Sequence, residues 1–113
     1  MSVESVIVVL STFPSAEAAT AVARTLVEER LAACVNIVPA VRSIYRWEGA
    51  VHDDAETLAI IKTTAERVAA MRARLVELHP YDVPEAIEVP IAGGHAPYLA
   101  WVIGEVTDSL AGT

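Results

Sequence analysis

The sequence predicts an α+β fold of the ferredoxin-like type, with the element order β-α-β-β-α-β and an additional C-terminal helix. Short apolar runs alternate with helical periodicity, and the two middle strands are joined by a turn of a few residues, which makes a long central hairpin. So short a connection forces antiparallel pairing and excludes an open parallel sheet. Right-handed crossovers then predict a four-stranded antiparallel sheet with the two inner helices on one face. Residues 1–113 are assigned to a single domain.

The central hairpin is predicted within residues 31–63, with its turn at 47–50, where Gly49 can take a positive φ. Its first arm, 33–47, is rich in Val, Ile, Tyr and Trp, and Pro39 within it predicts a bulge or an edge position because proline lacks an N–H. Fully extended at ~3.3 Å per residue, this arm would span ~50 Å. A domain of this length is only ~35 Å across. The hairpin is therefore predicted to bend at Pro39 and to project toward another chain.

Apolar periodicity and capping residues indicate the elements on either side of the hairpin. Residues 5–12 form a nearly continuous apolar run, which is typical of a central strand. Ser15 is a good N-cap for a first helix that ends near Arg30. Residues 63–66 (TTAE) have the spacing of a capping box and therefore predict the start of a second helix, which Pro80 ends.

The last predicted elements are a short strand and a helix. Residues 86–91 (AIEVPI) predict a short strand that ends at Pro90 or lies at the sheet edge, because Pro90 cannot donate a hydrogen bond. Pro97 suits the first turn of a final helix with an apolar stripe. Since the strands are apolar on both sides, the second sheet face should be covered by this helix or by a second subunit.

Composition and charge narrow the functional classes. The chain has 54% apolar residues, enough for a sizeable core, and its uncharged run 5–16 is too short to span a bilayer. A net charge of −7 opposes binding to nucleic acid or to an anionic membrane. The lone Cys34 cannot form an internal disulfide, which fits a reducing compartment, so a cytoplasmic location is expected.

Other functions that this fold serves lack their residues in this sequence. RNA-recognition modules stack bases on aromatic side chains of the central strands, whereas residues 6–11 contain no aromatic side chain. An acyl phosphatase needs an arginine in a phosphate cradle after the first strand, and residues 12–15 (TFPS) contain none. The sequence carries no P-loop, no C-x-x-C and no signature of a catalytic triad, so we expect no enzymatic activity.

The histidines and their neighbouring carboxylates are the candidates for metal chemistry. His52 is followed by two aspartates, which suits a weak divalent site as well as a solvated strand end. His95 follows two glycines in a loop. His79 lies at a helix C-terminus directly before Pro80, where the helix dipole favours a cation, and Glu85 follows after a turn. At His79, a metal ligand and a capping histidine both stay open.

Several motifs along nearly the whole chain resemble the CutA family of divalent-cation-tolerance proteins. They occur in the family's order, at residues 30–37 (RLAACVNI), 43–49 (SIYRWEG), 60–63 (IIKT), 79–85 (HPYDVPE) and 98–101 (YLAW). The resemblance implies ferredoxin-like subunits that assemble through long hairpin strands into a cytoplasmic homotrimer. It also implies a link to the tolerance of copper and other divalent metals.

The resemblance also bears on the metal ligands. Metal-binding members of the family carry a Cys at the end of the first strand and a His-His pair before the proline, and Ser11, Leu78 and His79 occupy the matching positions here. The resemblance therefore implies that His79 is the principal ligand of any bound copper or other divalent ion. Glu85 or a neighbouring subunit would supply further donors, and the binding is expected to be weak because tight sites need three or four well-placed ligands.

The aromatic residues of the motifs are predicted to act in assembly rather than in chemistry. Tyr45, Trp47, Tyr81 and Trp101 combine large apolar area with a hydrogen-bonding tip, as residues that anchor interfaces do. An alternative function stays open beside metal tolerance: a trimeric signalling or scaffold module that binds a small molecule or a protein in the clefts between subunits.

Overall fold

The computed structural model describes residues 5–107, and its sheet is built around the long hairpin. The strands and helices in chain order are β1 (Val6–Phe13), α1 (Ala16–Glu28), β2 (Cys34–Trp47), β3 (Ala50–Thr64), α2 (Val68–Leu78), β4 (Ile87–Pro90) and α3 (Ala96–Val106). The strand order in the four-stranded sheet is β2-β3-β1-β4, with all neighbours antiparallel. This is the predicted ferredoxin-like arrangement with an added C-terminal helix. No helix within the described residues is long and apolar enough to cross a membrane.

The hairpin turn lies where the sequence places it. Glu48 (φ 51°) and Gly49 (φ 81°) are the two residues between β2 and β3, and both take left-handed backbone conformations. Positive φ at both central positions is the mark of a type I′ turn, whose twist matches that of the flanking strands. Glycine adopts this conformation without steric cost, which fixes the hairpin register at this end.

The predicted irregularity at Pro39 is a β-bulge. Val38 lies opposite Leu58, and Val41 lies opposite Glu56, so two residues of β2 face a single residue of β3. The bulge places Pro39 where its missing N–H costs no ladder bond. The hydroxyl of Thr57 donates to the Pro39 carbonyl at 3.2 Å and so fills part of the interrupted ladder.

Beyond the bulge, the hairpin projects from the sheet as predicted. β1 pairs with β3 only over the stretch 57–64, so residues 41–56 form a ribbon of two strands alone; we call this stretch the ribbon. The molecule measures 50 × 27 × 22 Å, and its radius of gyration is 15.1 Å. A compact domain of this length has a radius of gyration of ~13 Å. The ribbon accounts for the elongation.

Cross-strand side-chain contacts stiffen the ribbon. Arg42 donates to both carboxylate oxygens of Asp53 at 2.8 and 2.6 Å, on the face of the ribbon that continues the helix side of the sheet. On the opposite face, the Tyr45 hydroxyl donates to Asp54 at 2.6 Å, and the Tyr45 ring stacks on His52. Such pairs contribute little each in water, and a two-stranded hairpin alone is marginally stable.

Helix α1 begins as predicted and ends in a Schellman motif. The Ser15 side chain accepts a hydrogen bond from the Ala18 N–H at 3.1 Å. After the last helical residue, Arg30 takes a left-handed conformation (φ 60°), and the Leu31 N–H donates to the Leu26 carbonyl at 2.9 Å. Glycine is usual at this position. Here the chain turns directly into β2.

The predicted capping box at 63–66 is wrong. β3 continues through Thr64, which pairs with Val6 of β1, and the Thr63 hydroxyl donates to the Leu31 carbonyl at 2.7 Å instead of capping a helix. Helix α2 starts only after Arg67, without a side-chain cap. The sheet pairing holds both threonines extended, so the tertiary contact overrides the local signal.

The sheet has one covered face and one largely open face. Helices α1 and α2 pack on the covered face, where the core contains Val9, Phe13, Ala19, Val22, Leu26, Ala59, Ile61, Met71 and Leu75. On the other face, α3 covers only one end, through Val102 and Val106 packed against Val6 and Ala33. The rest is an apolar surface that we call the open face, formed by Val8, Leu10, Leu58, Ile60, Ile87 and Val89.

Strand β4 is shorter than predicted and lies at the edge, as Pro90 indicated. It covers Ile87–Pro90 rather than 86–91, and β1 is the one strand of residues 5–107 with which it pairs. Its side chains on the open face, Ile87 and Val89, are 52% and 39% exposed. An apolar edge strand in this condition is suited to contact with a further chain.

Two buried side-chain polar atoms in the described part of the chain have no hydrogen-bond partner, the Ser11 hydroxyl and Arg67 Nε. The Ser11 side chain is fully buried on the covered face, opposite Ala59, and its hydroxyl makes no hydrogen bond. A buried hydroxyl without a partner lowers the stability of the folded state, because it has lost its water.

We therefore expect Ser11→Ala to raise the free energy of unfolding by about 1 kcal/mol, since it removes an unpaired polar group and few packing atoms. Ser11→Cys should behave similarly, because a free thiol packs as a small apolar group. Guanidinium denaturation is the measurement. Thr63→Val is the matched control: its hydroxyl has a partner, so its loss should destabilise by about 1 kcal/mol. Equal destabilisation by Ser11→Ala and Thr63→Val would contradict this assignment.

Candidate functional site at the base of the ribbon

The polar network at the base of the ribbon is formed by the segment 79–85, the end of β1 and the first residues of the ribbon. Pro80 sets its geometry, because the residue before a proline is driven out of the helical region. His79 accordingly ends α2 with an extended backbone (ψ 139°). The chain then folds back across the sheet edge, where β1 has stopped and β3 continues.

His79 is buried and fully hydrogen bonded. The residue is 8% exposed, and its ring stacks on Phe13, with ring centroids 4.2 Å apart. Its Nε2 lies 2.9 Å from the Thr12 carbonyl oxygen, and its Nδ1 accepts the main-chain N–H of Tyr81 at 3.1 Å. Burial lowers the pKa of His79 below 6.5, although the Thr12 carbonyl and the charge of Glu56 act in the opposite direction.

Tyr81 connects this segment to the ribbon. Its hydroxyl donates to Glu56 Oε2 at 2.6 Å, and Glu56 lies opposite Val41, the first pair after the bulge. Burial raises the pKa of Tyr81, and the hydrogen bond to Glu56 raises it further. The phenol is therefore a permanent donor at physiological pH, and its carboxylate partner is held at the point where the ribbon leaves the sheet.

Glu85 lies half-buried on the same network. Desolvation raises the pKa of its carboxyl group, the negative charge of Glu56 adds to this effect, and a hydrogen bond with the Thr12 side chain opposes it. The two residues that the sequence singled out for metal chemistry, His79 and Glu85, thus meet at Thr12: one contacts its carbonyl and the other its side chain.

The other candidate histidines lie elsewhere. His52 stacks on Tyr45, whereas its neighbours Asp53 and Asp54 lie on opposite faces of the ribbon and are hydrogen bonded to Arg42 and Tyr45. The three side chains therefore do not converge on one point. His95 is exposed at the start of α3 and makes no capping hydrogen bond. Within residues 5–107, no group of three His, Cys, Asp or Glu side chains is placed to hold a metal ion.

The comparison with known proteins decides the family. Residues 7–105 match the family model described as CutA1 divalent ion tolerance protein. The chain belongs to this family. The resemblance that the motifs indicated is confirmed over nearly the whole chain.

Individual relatives agree with this assignment. The chain is 54% identical over 95 residues to the divalent-cation tolerance protein CutA of Thermus thermophilus, covering 84% of this chain and 92% of that protein. It is 47% identical over 103 residues to the chloroplastic protein CutA 1 of Oryza sativa, covering 91% of this chain but only 58% of that longer protein. The crystal structure of CutA from Xylella fastidiosa superposes with a TM-score of 0.89 at 43% identity, covering 91% of this chain and 99% of that one.

Sequence reasoning missed two members of the network, Thr12 and Glu56. The contact between His79 and Thr12 joins residues 67 positions apart, and that between Tyr81 and Glu56 joins residues 25 positions apart. Neither follows from a local pattern. Glu56 could have been found from the bulge at Pro39, because the bulge fixes which residue of β3 begins the ribbon.

We expect acid to destabilise the wild type more than His79→Gln. The pKa of His79 in the folded chain is below 6.5, so the unfolded chain takes up the proton first. The stability that His79 contributes is therefore complete above pH 6.5 and is lost as the pH falls through the folded-state pKa. Glu85 has a raised pKa and acts in the opposite sense, but it is present in both proteins and cancels in their difference.

Denaturation of both proteins between about pH 8 and pH 5, the range in which an imidazole titrates, is the measurement. The gap in unfolding free energy between wild type and His79→Gln should narrow toward acid. A gap that does not depend on pH would contradict a neutral, buried His79.

Proposed function

We propose that this protein acts in the tolerance of divalent cations, copper among them, as a cytoplasmic homotrimer. Its family membership supports the link to divalent cations, because the family model and the Thermus thermophilus relative carry that description. The observation that carries the assembly is the combination of an uncovered apolar sheet face with a ribbon too long for its own domain.

The open face supports burial against another copy of the chain. Its six apolar side chains form adjacent rows across β3, β1 and β4, and α3 reaches only one end of them. Contiguous exposed apolar surface of this kind marks an interaction site. Within the described residues, β4 has no strand on its outer side, so its main-chain groups beside Ile87 and Val89 suit pairing with a strand of a neighbour.

The ribbon supports the same conclusion. Toward its tip it exposes large apolar side chains: Ile44 is 66% exposed, Val51 is 64% exposed and Trp47 is 49% exposed. A solitary two-stranded ribbon does not stabilise itself in water. Contact with neighbouring subunits supplies the packing that the two strands of the ribbon lack on their own. Obligate interfaces bury more than ~2,000 Å².

We expect light scattering coupled to gel filtration to give the mass of three chains of 12.0 kDa each at micromolar concentration. Trp47→Ala should weaken the assembly by roughly 3 kcal/mol, because the truncation removes most of the area that an anchoring Trp buries at an interface. Val76→Ala is the control, since Val76 is similarly exposed, at 46%, but lies on α2 on the covered side. A measured mass equal to one chain for the wild type would contradict the proposed trimer. An equal effect of both variants would remove Trp47 as an anchor.

The cellular role can be tested separately from assembly. A strain lacking its own family member should grow less well than its parent as Cu²⁺ is raised, and expression of this chain should restore growth. Wild-type expression without restored growth, for copper and for other divalent ions, would overturn the link to cation tolerance.

Direct metal binding by an isolated subunit is proposed to be weak. Glu85 is the accessible donor of the predicted pair, and His79 can join it only by giving up a main-chain hydrogen bond. Calorimetric titration with Cu²⁺ and Zn²⁺ should give dissociation constants on the order of micromolar or weaker. Glu85→Gln should weaken that binding, and Glu28→Gln, an exposed carboxylate on α1, should leave it unchanged. Nanomolar binding that survives Glu85→Gln would contradict this ligand set.

A second candidate function is the binding of a small molecule or a protein between subunits. The network of Glu56, Tyr81 and Glu85 favours it, since these groups lie half-buried beside the open face rather than in the core. A thermal-shift panel of nucleotides and metabolites beside metal salts distinguishes the two. Stabilisation by an organic ligand but by no metal would favour this second function. The absence of enzymatic activity stays a prediction.

A further inference from the structure

We infer that His79 is a positioning residue rather than a metal ligand: its ring is locked by two main-chain groups in the neutral tautomer protonated on Nε2, and this lock fixes the base of the ribbon through Tyr81. The divalent-cation site that the family implies therefore does not fit its matching positions in this chain. The inference goes beyond the proposed function, and it rests on that function only where it concerns assembly of the ribbon.

The tautomer follows from the partners. The Tyr81 main-chain N–H can only donate, so Nδ1 must present its lone pair to it at 3.1 Å. The Thr12 carbonyl can only accept, so Nε2 must carry the proton across 2.9 Å. Neither main-chain group titrates, and neither can change its role. The protonation pattern of His79 is thus set by the fold itself.

The same two bonds remove His79 from metal coordination. A metal ion needs a free imidazole lone pair, whereas that of Nδ1 is given to Tyr81 and Nε2 bears a proton. Coordination at either nitrogen leaves a main-chain group without its partner, at a residue that is 8% exposed and whose ring is stacked on Phe13. The other matching positions offer less: Ser11 is fully buried on the covered face, and Leu78 has no donor atom.

The lock has a structural effect beyond α2. It places the Tyr81 backbone so that the Tyr81 hydroxyl reaches Glu56, the residue opposite Val41 at the first pair of the ribbon. The pairing of β1 with β3 ends at the adjacent pair, Phe13 and Thr57, so this bond is a lateral support at the point where the hairpin leaves the sheet. His79 therefore acts on the direction of the ribbon through Tyr81.

Ring ¹⁵N chemical shifts of labelled wild-type protein at about pH 7.5, where an ordinary imidazole is neutral, test the tautomer. His79 should show one nitrogen of the protonated, pyrrole-like type and one acceptor nitrogen, whereas exposed His95 should show the averaged shifts of two exchanging tautomers. On titration with Zn²⁺, the His79 shifts should stay fixed while those of His52 or His95 move. A His79 signal that responds to Zn²⁺ at lower concentration than both others would overturn the inference.

Two conservative variants separate the two hydrogen bonds. His79→Gln can keep a donor near Thr12 but has no acceptor at the Nδ1 position, so hydrogen exchange of the Tyr81 amide should be about tenfold faster than in wild type. His79→Asn keeps an acceptor near that position and should retain most of the protection. Equal exchange of the Tyr81 amide in wild type and His79→Gln would overturn the lock. Light scattering on the same samples shows whether wild type and variants have the same mass, so failure of the lock is distinct from failure of the trimer proposal.

Discussion

The structure depends on a hairpin whose strands are longer than the sheet they belong to. β1 pairs with β3 only as far as Thr57, and beyond it each hairpin strand pairs with no other strand of the described residues than its partner in the hairpin. Several features of the hairpin compensate for this difference in length. The bulge at Pro39 marks the place where support ends, and the Arg42–Asp53 and Tyr45–Asp54 pairs stiffen what lies beyond it. Because such surface pairs contribute little, the ribbon needs further contacts.

The network at the base supplies one of those contacts from within the chain. Near the end of β1, Thr12 has no partner residue in β4, and Glu56 has none in β1. The segment after α2 brings His79 to the first of these residues and Tyr81 to the second. Pro80 makes this possible, because it forces the chain to leave the helix at His79 instead of continuing past the sheet edge. The segment that begins where α2 ends is thus also the segment that supports the ribbon.

The parts of this structure that were predictable from sequence are those with a local cause. The turn needs a residue such as Gly49 that takes a positive φ, Pro39 cannot donate to a ladder, and Ser15 caps the helix that begins directly after it. The capping box at 63–66 failed although its pattern is equally local, because strand pairing with Val6 extended the chain through it. His79 was recognised as a candidate, but its hydrogen-bond partner Thr12 was not, since Thr12 lies 67 positions away. Local chemistry identifies the residue, and only topology identifies its partner.

This distinction bears on how family resemblance transfers to a single chain. A ligand set requires every donor at once, so replacing one thiolate or imidazole by a hydroxyl or an alkyl side chain removes most of its affinity. A hydrogen bond from one side chain to two main-chain groups requires only that the fold persist. Ser11 and Leu78 have lost the donors, whereas His79 keeps both main-chain partners. In this chain, the position before Pro80 therefore serves the base of the ribbon, through its two main-chain hydrogen bonds, independently of metal.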